Sequence, residues 1–135
     1  MGKVFWIITN GEMSMNYILF LDDERTIEMV DRSKWPDMNI LIARSSRQAQ
    51  EIVRLYDMPK FMSLDHDLGI QDGFDDTTMV FLKWLIIDYP KRASMAWRSR
   101  VQVIIPEYVV HSANPIGTQN IISYIESYRR SLTIS

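Results

Sequence analysis

The stretch YILFLDDER, Tyr17–Arg25, joins a short and almost wholly apolar run to a run of acidic residues. A run of this kind, bounded by charge, is typical of a β-strand that is covered on both faces, as in a parallel sheet. Asn39–Ala43 (NILIA) and Phe61–Leu64 (FMSL) have a similar form, and Glu107–Val110 (EYVV) is a fourth candidate. The sequence therefore predicts a sheet of short, buried strands.

Helical patterns separate these strands. Ser45–Gln48 (SSRQ) has the form of a capping box, and the apolar spacing that follows it predicts a helix to about Tyr56. Thr77–Asp88 is apolar on nearly every side, so a deeply buried helix is expected there. Gly117–Arg130 predicts a final helix.

The boundaries of the second helix and the connecting segments follow from turn and cap residues. Asp75 or Asp76 is expected to cap the second helix, and Tyr89-Pro90 to end it. The remaining segments are a predicted loop at Gly69–Asp76, a basic and helical segment at Lys91–Arg100, a further short strand at Val101–Ile105 and a turn at Asn114–Gly117.

Strands that alternate with helices imply right-handed crossovers and a parallel sheet. We therefore predict one α/β domain, an open and doubly wound parallel sheet with helices on both faces. This domain occupies residues 16–135. Residues 1–15 are interpreted as an N-terminal extension or as an additional edge strand at Val4–Thr9.

The composition of the 135-residue chain narrows the classes of function. It contains no cysteine, which excludes disulfides and thiolate metal sites and fits a reducing, cytoplasmic setting. A net charge of −2 provides no global basic field for DNA, and no apolar run is long enough for a membrane span. Apolar surface on the final helix is compatible with a homodimer.

Polar clusters follow three of the predicted strands. They are Asp22-Asp23-Glu24-Arg25, Asp65-His66-Asp67 and His111-Ser112-Ala113-Asn114. The carboxyl ends of parallel strands meet at one edge of a sheet, where ligands bind in folds of this class. Crowded carboxylates repel one another, and a divalent metal would relieve that repulsion. Oxygen ligands suit Mg²⁺ or Mn²⁺, whereas an imidazole ligand shifts the preference toward Mn²⁺, Fe²⁺ or Zn²⁺.

Each of these residues also has a structural interpretation. Asp22 and Asp23 are also suited to cap a following helix, and Asp67 to stabilise a turn before Gly69. His66 is alternatively a surface histidine, and His111 a buried histidine that bonds to a backbone carbonyl. The coincidence of three clusters at strand ends favours a functional site.

The chain resembles a receiver domain at these residues. The acidic pair Asp22-Asp23 and the later Asp65 match the receiver's Mg²⁺-binding acids and its acceptor aspartate. The set LDDER, SLDHDLG and VVHSANPIGTQNI resembles more closely the receiver-derived family of cyclic-phosphate-processing receiver domains, over about Tyr17 to Tyr128. This resemblance implies a flavodoxin-like fold and an enzyme that acts on cyclic phosphates of nucleotides or RNA ends.

A phosphoesterase of this kind would use the candidate residues in three roles. Asp22, Asp23 and Asp65 would hold the metal, with Asp65 as a covalent phospho-acceptor in an alternative mechanism. His66 and His111 would transfer protons, and Asp67 would orient a histidine or add a ligand. Arg25, Ser112 and Asn114 would contact the phosphate.

Two functions of different classes remain open from the sequence. The first is a metal-dependent phosphoesterase, in RNA repair or in a bacteriophage that removes a host's cyclic-nucleotide signal. The second is a non-catalytic, receiver-derived module that binds a nucleotide or a protein. A phosphorelay receiver is less favoured, because no lysine follows Lys91.

Overall fold

The computed structural model describes residues 5–9, 12–90 and 102–133 of the chain. The strands in these ranges are β1 (Phe5–Thr9), β2 (Glu12–Leu21), β3 (Asn39–Ala43), β4 (Phe61–Leu64), β5 (Asp67–Gln71), β6 (Phe74–Thr77) and β7 (Glu107–Val110). The helices are α1 (Ser46–Tyr56), α2 (Thr78–Lys83), which continues as a π-helix over Trp84–Asp88, and α3 (Pro115–Thr133).

Four of the strands form a parallel sheet in the order β3-β2-β4-β7. The predicted parallel α/β architecture is confirmed, and β3, β4 and β7 have the bounds that the sequence predicted. β2 begins earlier than the predicted strand at Tyr17. Its first half, Glu12–Asn16, pairs antiparallel with β1, and its second half enters the parallel sheet.

The main core lies on one face of this sheet. Alternate residues of β2, namely Tyr17, Leu19 and Leu21, are fully buried there. They meet buried side chains from α1, α2 and α3, among them Val53, Phe81, Leu82, Ile121 and Ile125. The strands are buried because these helices cover them, as the apolar runs predicted.

The opposite face is covered differently in the described part of the chain. The connection from β2 to β3 contains a single 3-10 turn, Ile27–Met29. From this connection, the Trp35 ring lies 5.9 Å from Phe20 and 6.3 Å from Phe61, measured between ring centroids. An aromatic loop residue thus covers apolar strand residues where a crossover helix would otherwise lie.

The predicted loop at Gly69–Asp76 is wrong, because this segment forms the antiparallel hairpin of β5 and β6. Asp72 and Gly73 at its turn have φ values of 51° and 82°. Two successive left-handed residues make the tight turn that Asp-Gly sequences favour in hairpins. The dipeptide was present in the sequence, but the many glycine and acidic residues of the segment suggested a loop.

The second helix differs from its prediction in three respects. Val80 is 47% exposed to solvent and Ile87 is 51% exposed, so one side of the helix is not buried as predicted. Its N-cap is Thr77, and neither Asp75 nor Asp76 caps it. Helical conformation also continues through Tyr89 and Pro90, where the helix was expected to end.

Three other segments were also predicted from the sequence. Gln102–Pro106 forms no strand, although Val103 and Ile105 are buried and Ile104 is 80% exposed. The final helix begins at Pro115, so the predicted turn at Asn114–Gly117 is its first turn. The basic segment Lys91–Arg100 and Val101 lie outside the described residues. Within the ranges that the structure describes, no helix has the length and apolar character that crossing a membrane requires.

Candidate functional site

Backbone hydrogen bonds carry the sheet one residue beyond its strands and bring the three polar clusters together. The amide of Asp65 donates to the carbonyl of Leu21 over 2.9 Å, and the amide of His111 donates to Leu64 over 2.9 Å. The amide of Asp22 donates to Ala43 over 3.1 Å. The first residue after each strand is therefore held level with its neighbours at the carboxyl edge.

An open cleft of about 460 Å³ lies at this edge. That volume is within the range of ordinary small-molecule sites. Seven of the nine predicted site residues line it, and the exceptions are His66 and His111. The full lining is Asp22, Asp23, Glu24, Arg25, Asp65, Asp67, Gly69, Ser112, Ala113 and Asn114.

Three of the lining carboxylates form a cluster that could hold a metal ion. Asp22, Asp23 and Asp65 each offer one oxygen, and the three oxygens lie within 4.8 Å of one another. Asp22 is fully buried and Asp65 is 7% exposed. Oxygen donors from carboxylates are what Mg²⁺ and Mn²⁺ prefer, so this donor set fits a hard divalent cation.

The carboxylates differ in how they are stabilised. Burial would raise the pKa of Asp22, but hydrogen bonds from the backbone amides of Arg25 and Glu24 and from two side chains lower it overall. Burial is the main reason that the pKa of Asp65 is raised, and the charge of Asp22 adds to the effect. The pKa of Asp23 is also raised, first by burial and then by neighbouring carboxylates. The cluster thus carries repulsion that a cation would relieve.

Arg25 supplies the positive charge found inside this cluster. Its Nη1 donates to Asp22 Oδ2 over 3.1 Å and lies 3.5 Å from Asp65 Oδ2. The same nitrogen donates to the carbonyl of His111 over 3.3 Å. One guanidinium nitrogen therefore connects residues from all three clusters.

His111 lies behind Asp22, outside the cleft lining. Its Nε2 is 2.9 Å from Asp22 Oδ2, and its Nδ1 is 2.8 Å from Ser63 Oγ. A neutral ring satisfies both contacts if Nε2–H donates to the carboxylate and Ser63 donates to Nδ1, an assignment made from the hydrogen-bond network. The ring stacks on Phe20 at 5.0 Å, and burial lowers the pKa of His111.

His66 also lies outside the cleft lining and packs against the first turn of α3. A Cβ at Gly117 would lie 2.4 Å from its ring, so the ring packs directly on the backbone of the helix. Its Nδ1 is 3.1 Å from Asp67 Oδ1. Asp67 in turn accepts from Nδ2 of Asn114 over 3.1 Å, and hydrogen bonding from that amide is the main reason that the pKa of Asp67 is lowered.

Asn114 has a structural role that the sequence prediction omitted. Its Oδ1 accepts from the amide of Gly117 over 2.9 Å, which makes Asn114 the N-cap of α3, with Pro115 at the first helical position. Ser112 accepts from the amide of Asn114 over 3.0 Å and hydrogen-bonds to Asp65. Both side chains line the cleft while they hold its rim together.

Three supporting residues were missed from the sequence. Ser63, in β4, hydrogen-bonds to His111. Thr78 stabilises the backbone of the Asp65-His66-Asp67 cluster: its amide donates to the carbonyl of His66 over 2.9 Å, and its hydroxyl donates to the carbonyl of Asp65. Arg44 donates to the carbonyls of Asp22 and Arg25. Ser63 is the first residue of the SLDHDLG motif but was given no role there, whereas Arg44 and Thr78 belong to no motif and only the fold brings them to the site.

Comparison with protein families finds a match over the residues that form the parallel sheet and the cleft. A family model described as the cyclic-phosphate processing receiver domain matches residues 17–127. This range includes all three clusters and each of the nine predicted site residues. Comparison of the chain with curated proteins and with solved structures gave no match.

Proposed function

Because the chain belongs to the cyclic-phosphate processing receiver domain family, we propose that it is a metal-dependent phosphoesterase. Its substrates would be cyclic nucleotides or RNA ends with a 2′,3′-cyclic phosphate. The main support is that the cluster of three carboxylates, Asp22, Asp23 and Asp65, lies in one cleft with Arg25. This combination can hold a cation and an anion side by side, which phosphoryl chemistry requires.

The proposed cation ligands are Asp22, Asp23 and Asp65. Their oxygen donors favour Mg²⁺ or Mn²⁺, and Zn²⁺ is less well supported because neither histidine lines the cleft with them. The cation would supply polarisation of a phosphoryl oxygen and activation of water. Arg25 is the proposed phosphate contact, since a guanidinium matches two phosphate oxygens in geometry and charge.

The proton-transfer role is assigned to His66, with Asp67 as its positioning residue. Asp67 contacts Nδ1 of the imidazole, so Nε2 is the ring nitrogen proposed to exchange a proton with the ligand. His111 is proposed as a positioning residue for Asp22 and not as a proton carrier. Both of its ring nitrogens already contact protein groups in the described structure.

A second candidate function is a non-catalytic module that binds a nucleotide or a protein partner. It is favoured by one observation, that neither histidine lines the cleft. A site without a proton carrier can bind a phosphate beside a cation but hydrolyses it poorly. Under either function, the proposed setting is the cytoplasm of a bacterium, including one infected by a phage that encodes the protein.

The experiment that tests the enzyme is turnover by the purified chain on a panel of cyclic phosphates. The panel contains 2′,3′-cyclic and 3′,5′-cyclic nucleotides, cyclic dinucleotides and RNA that ends in a cyclic phosphate, each with Mg²⁺, Mn²⁺, Zn²⁺ or EDTA. We expect turnover of at least one substrate with Mg²⁺ or Mn²⁺ and none with EDTA. Asp65→Asn should reduce turnover by at least about 100-fold, the scale of a lost electrostatic contact in an active site.

Asp75→Asn is the matched control, because Asp75 is an exposed carboxylate outside the cleft. It should leave turnover unchanged. Turnover that survives EDTA or Asp65→Asn would contradict a metal-dependent enzyme. Tight nucleotide binding without turnover of any substrate would favour the binding module instead.

A further inference from the structure

The hydrogen bonds around Asp22 leave no simple place for a cation. A carboxylate has about four lone-pair positions. Oδ1 of Asp22 accepts from the amides of Glu24 at 2.8 Å and Arg25 at 2.7 Å. Oδ2 accepts from Nη1 of Arg25 at 3.1 Å and from Nε2 of His111 at 2.9 Å. A metal ion that coordinates Asp22 must therefore replace a donor.

Of these four donors, the Arg25 side chain is the one that can move. The two amides belong to a backbone turn that Asp22 itself holds. The His111 side chain is 10% exposed and is held between Ser63 and Phe20. The Arg25 side chain is 32% exposed and reaches its partners through a flexible stem.

The same guanidinium also occupies the second metal ligand. Nη1 of Arg25 is 3.5 Å from Asp65 Oδ2, so it lies between the two buried carboxylates of the cluster. A divalent cation shared by these carboxylates would lie close to this nitrogen and carry charge of the same sign. The two positive groups would repel each other strongly in a partly buried site.

We propose that Arg25 and a divalent cation exchange at the Asp22–Asp65 pair. Arg25 is the internal counter-ion when no metal is bound, and metal loading displaces its guanidinium towards the cleft, where it faces the anionic group of the ligand. This inference rests on the proposed function for the position of the metal. It adds that metal binding and anion binding at this site are coupled through one side chain.

The backbone of Arg25 is suited to act as a fixed pivot for this movement. Its amide donates to Asp22 Oδ1, and its carbonyl accepts from Nη1 of Arg44 over 2.5 Å. Only the side chain must change conformation. Since Arg25 lines the cleft, a displaced guanidinium would remain within the same site.

The test is calorimetric titration of the EDTA-treated chain with Mn²⁺. Arg25→Met removes the competing cation and keeps an unbranched apolar stem. We expect it to bind Mn²⁺ about tenfold more tightly than the wild type, a typical size for coupling between two ligands at a site. Arg32→Met makes the same change of charge at an exposed residue outside the cleft, and its affinity should equal that of the wild type.

A second measurement does not depend on a variant. In a crystal structure of the wild-type chain grown with Mn²⁺, Nη1 of Arg25 should lie beyond 4 Å, the limit of an ion pair, from both carboxylates. Inorganic phosphate should also bind more tightly with Mn²⁺ than without it, and Arg25→Met should reduce this gain, because the displaced guanidinium adds to the attraction of the metal itself. Retained contacts between Arg25 and both carboxylates beside a bound metal, or equal Mn²⁺ affinity in wild type and Arg25→Met, would overturn the exchange.

These outcomes are separable from the failure of the proposed enzyme. Tighter Mn²⁺ binding by Arg25→Met without turnover of any cyclic phosphate supports the exchange and contradicts the phosphoesterase. Turnover of a cyclic phosphate by the wild type, together with an unchanged Mn²⁺ affinity in Arg25→Met, supports the phosphoesterase and contradicts the exchange.

Discussion

His111 shows how one residue at a strand end can serve the site without lining it. The sequence predicted it as a proton carrier because it follows a strand and has an ionisable ring. In the structure the ring spans from Ser63 to Asp22 and stacks on Phe20. Its Nε2 contact helps to fix the direction of the Asp22 carboxylate, so in the proposed metal site His111 would orient a ligand.

We expect His111→Ala to destabilise the fold and to weaken metal binding together. The substitution removes the partner of the Ser63 hydroxyl, one of the two donors to Asp22 Oδ2, and the ring stacked on Phe20. The free energy of unfolding should fall by about 2–4 kcal/mol, from the lost hydrogen bonds and the cavity. Mn²⁺ affinity should fall by about tenfold or more, as for other residues that orient metal ligands. Urea denaturation and Mn²⁺ titration measure the two effects.

His66→Ala is the comparison that separates positioning from proton transfer. If His66 carries the proton, its removal should reduce turnover while Mn²⁺ affinity stays close to that of the wild type. The pH dependence of the remaining turnover in His111→Ala should keep the wild-type shape, because a positioning residue does not titrate in the reaction. A loss of one limb of that profile in His111→Ala would show that His111 carries the proton after all.

The hairpin of β5 and β6 is the element that attaches the acidic motif to the rest of the fold. It begins at Asp67 in the cleft and returns to α2, and Leu68 near its base is fully buried. Asp76 near its end accepts from the amide of Ser46 over 2.8 Å and from its hydroxyl over 2.6 Å. This carboxylate therefore joins the hairpin to the first residue of α1, where a helix dipole also favours negative charge.

Asp76→Ala should destabilise the chain much more than Asp75→Ala does. Asp76 is 8% exposed and holds two hydrogen bonds, whereas its neighbour Asp75 is exposed. Without the Asp76 carboxylate, the amide and hydroxyl of Ser46 lose their buried acceptor, which should lower the free energy of unfolding by about 1–3 kcal/mol. The exposed change should stay within about 0.5 kcal/mol. Chemical denaturation of both variants provides the measurement, and equal effects would show that the contact with Ser46 does not stabilise the fold.

Among the helices and strands, sequence patterns predicted those whose bounds depend on neighbouring residues. The capping box predicted where α1 begins, and in the structure the Ser45 hydroxyl accepts a hydrogen bond from the amide of Gln48 over 3.1 Å. The local pattern could not predict that Asp76 hydrogen-bonds to Ser46 instead of capping α2, because Asp76 and Ser46 are 30 positions apart in the sequence. The directions of His66 and His111 were missed for the same reason, since their partners are set by packing between elements.

The candidate site and a polar cluster around the buried Tyr17 lie at opposite ends of the sheet. The cleft lies at the carboxyl ends of the parallel strands. At the other end, Tyr17 begins the parallel part of β2, and its hydroxyl donates to the carbonyl of Asp57 over 2.5 Å. Tyr89 also contacts Asp57, at 3.3 Å through the side chain. Conditions that act on this cluster should therefore change stability without acting on the cleft directly.

The stability of the chain should fall as the pH rises above 10. Burial, together with nearby Tyr89 and Asp57, holds the pKa of Tyr17 well above its usual value, and burial raises the pKa of Tyr89 from 10.0 to about 12. A raised pKa means that the fold retains the proton while the unfolded chain releases it. The stabilisation is therefore complete below pH 10 and is lost progressively above it, by up to about 1.4 kcal/mol per pH unit for each retained proton.

Tyr17→Phe tests this linkage against Tyr89→Phe, whose side chain is less buried. At pH 7 the loss of the hydroxyl should lower the free energy of unfolding of Tyr17→Phe by about 1 kcal/mol, the usual size of one hydrogen bond. Between pH 10 and 11.5, however, this variant should lose less stability than the wild type, because it has no phenol to ionise at that position. Urea denaturation of the wild type and of Tyr17→Phe at pH 7, 10 and 11.5 measures both the difference in stability at pH 7 and the loss between pH 10 and 11.5. Parallel curves for wild type and Tyr17→Phe would mean that another group governs alkaline unfolding, and a larger change in slope for Tyr89→Phe would assign that role to the half-buried phenol.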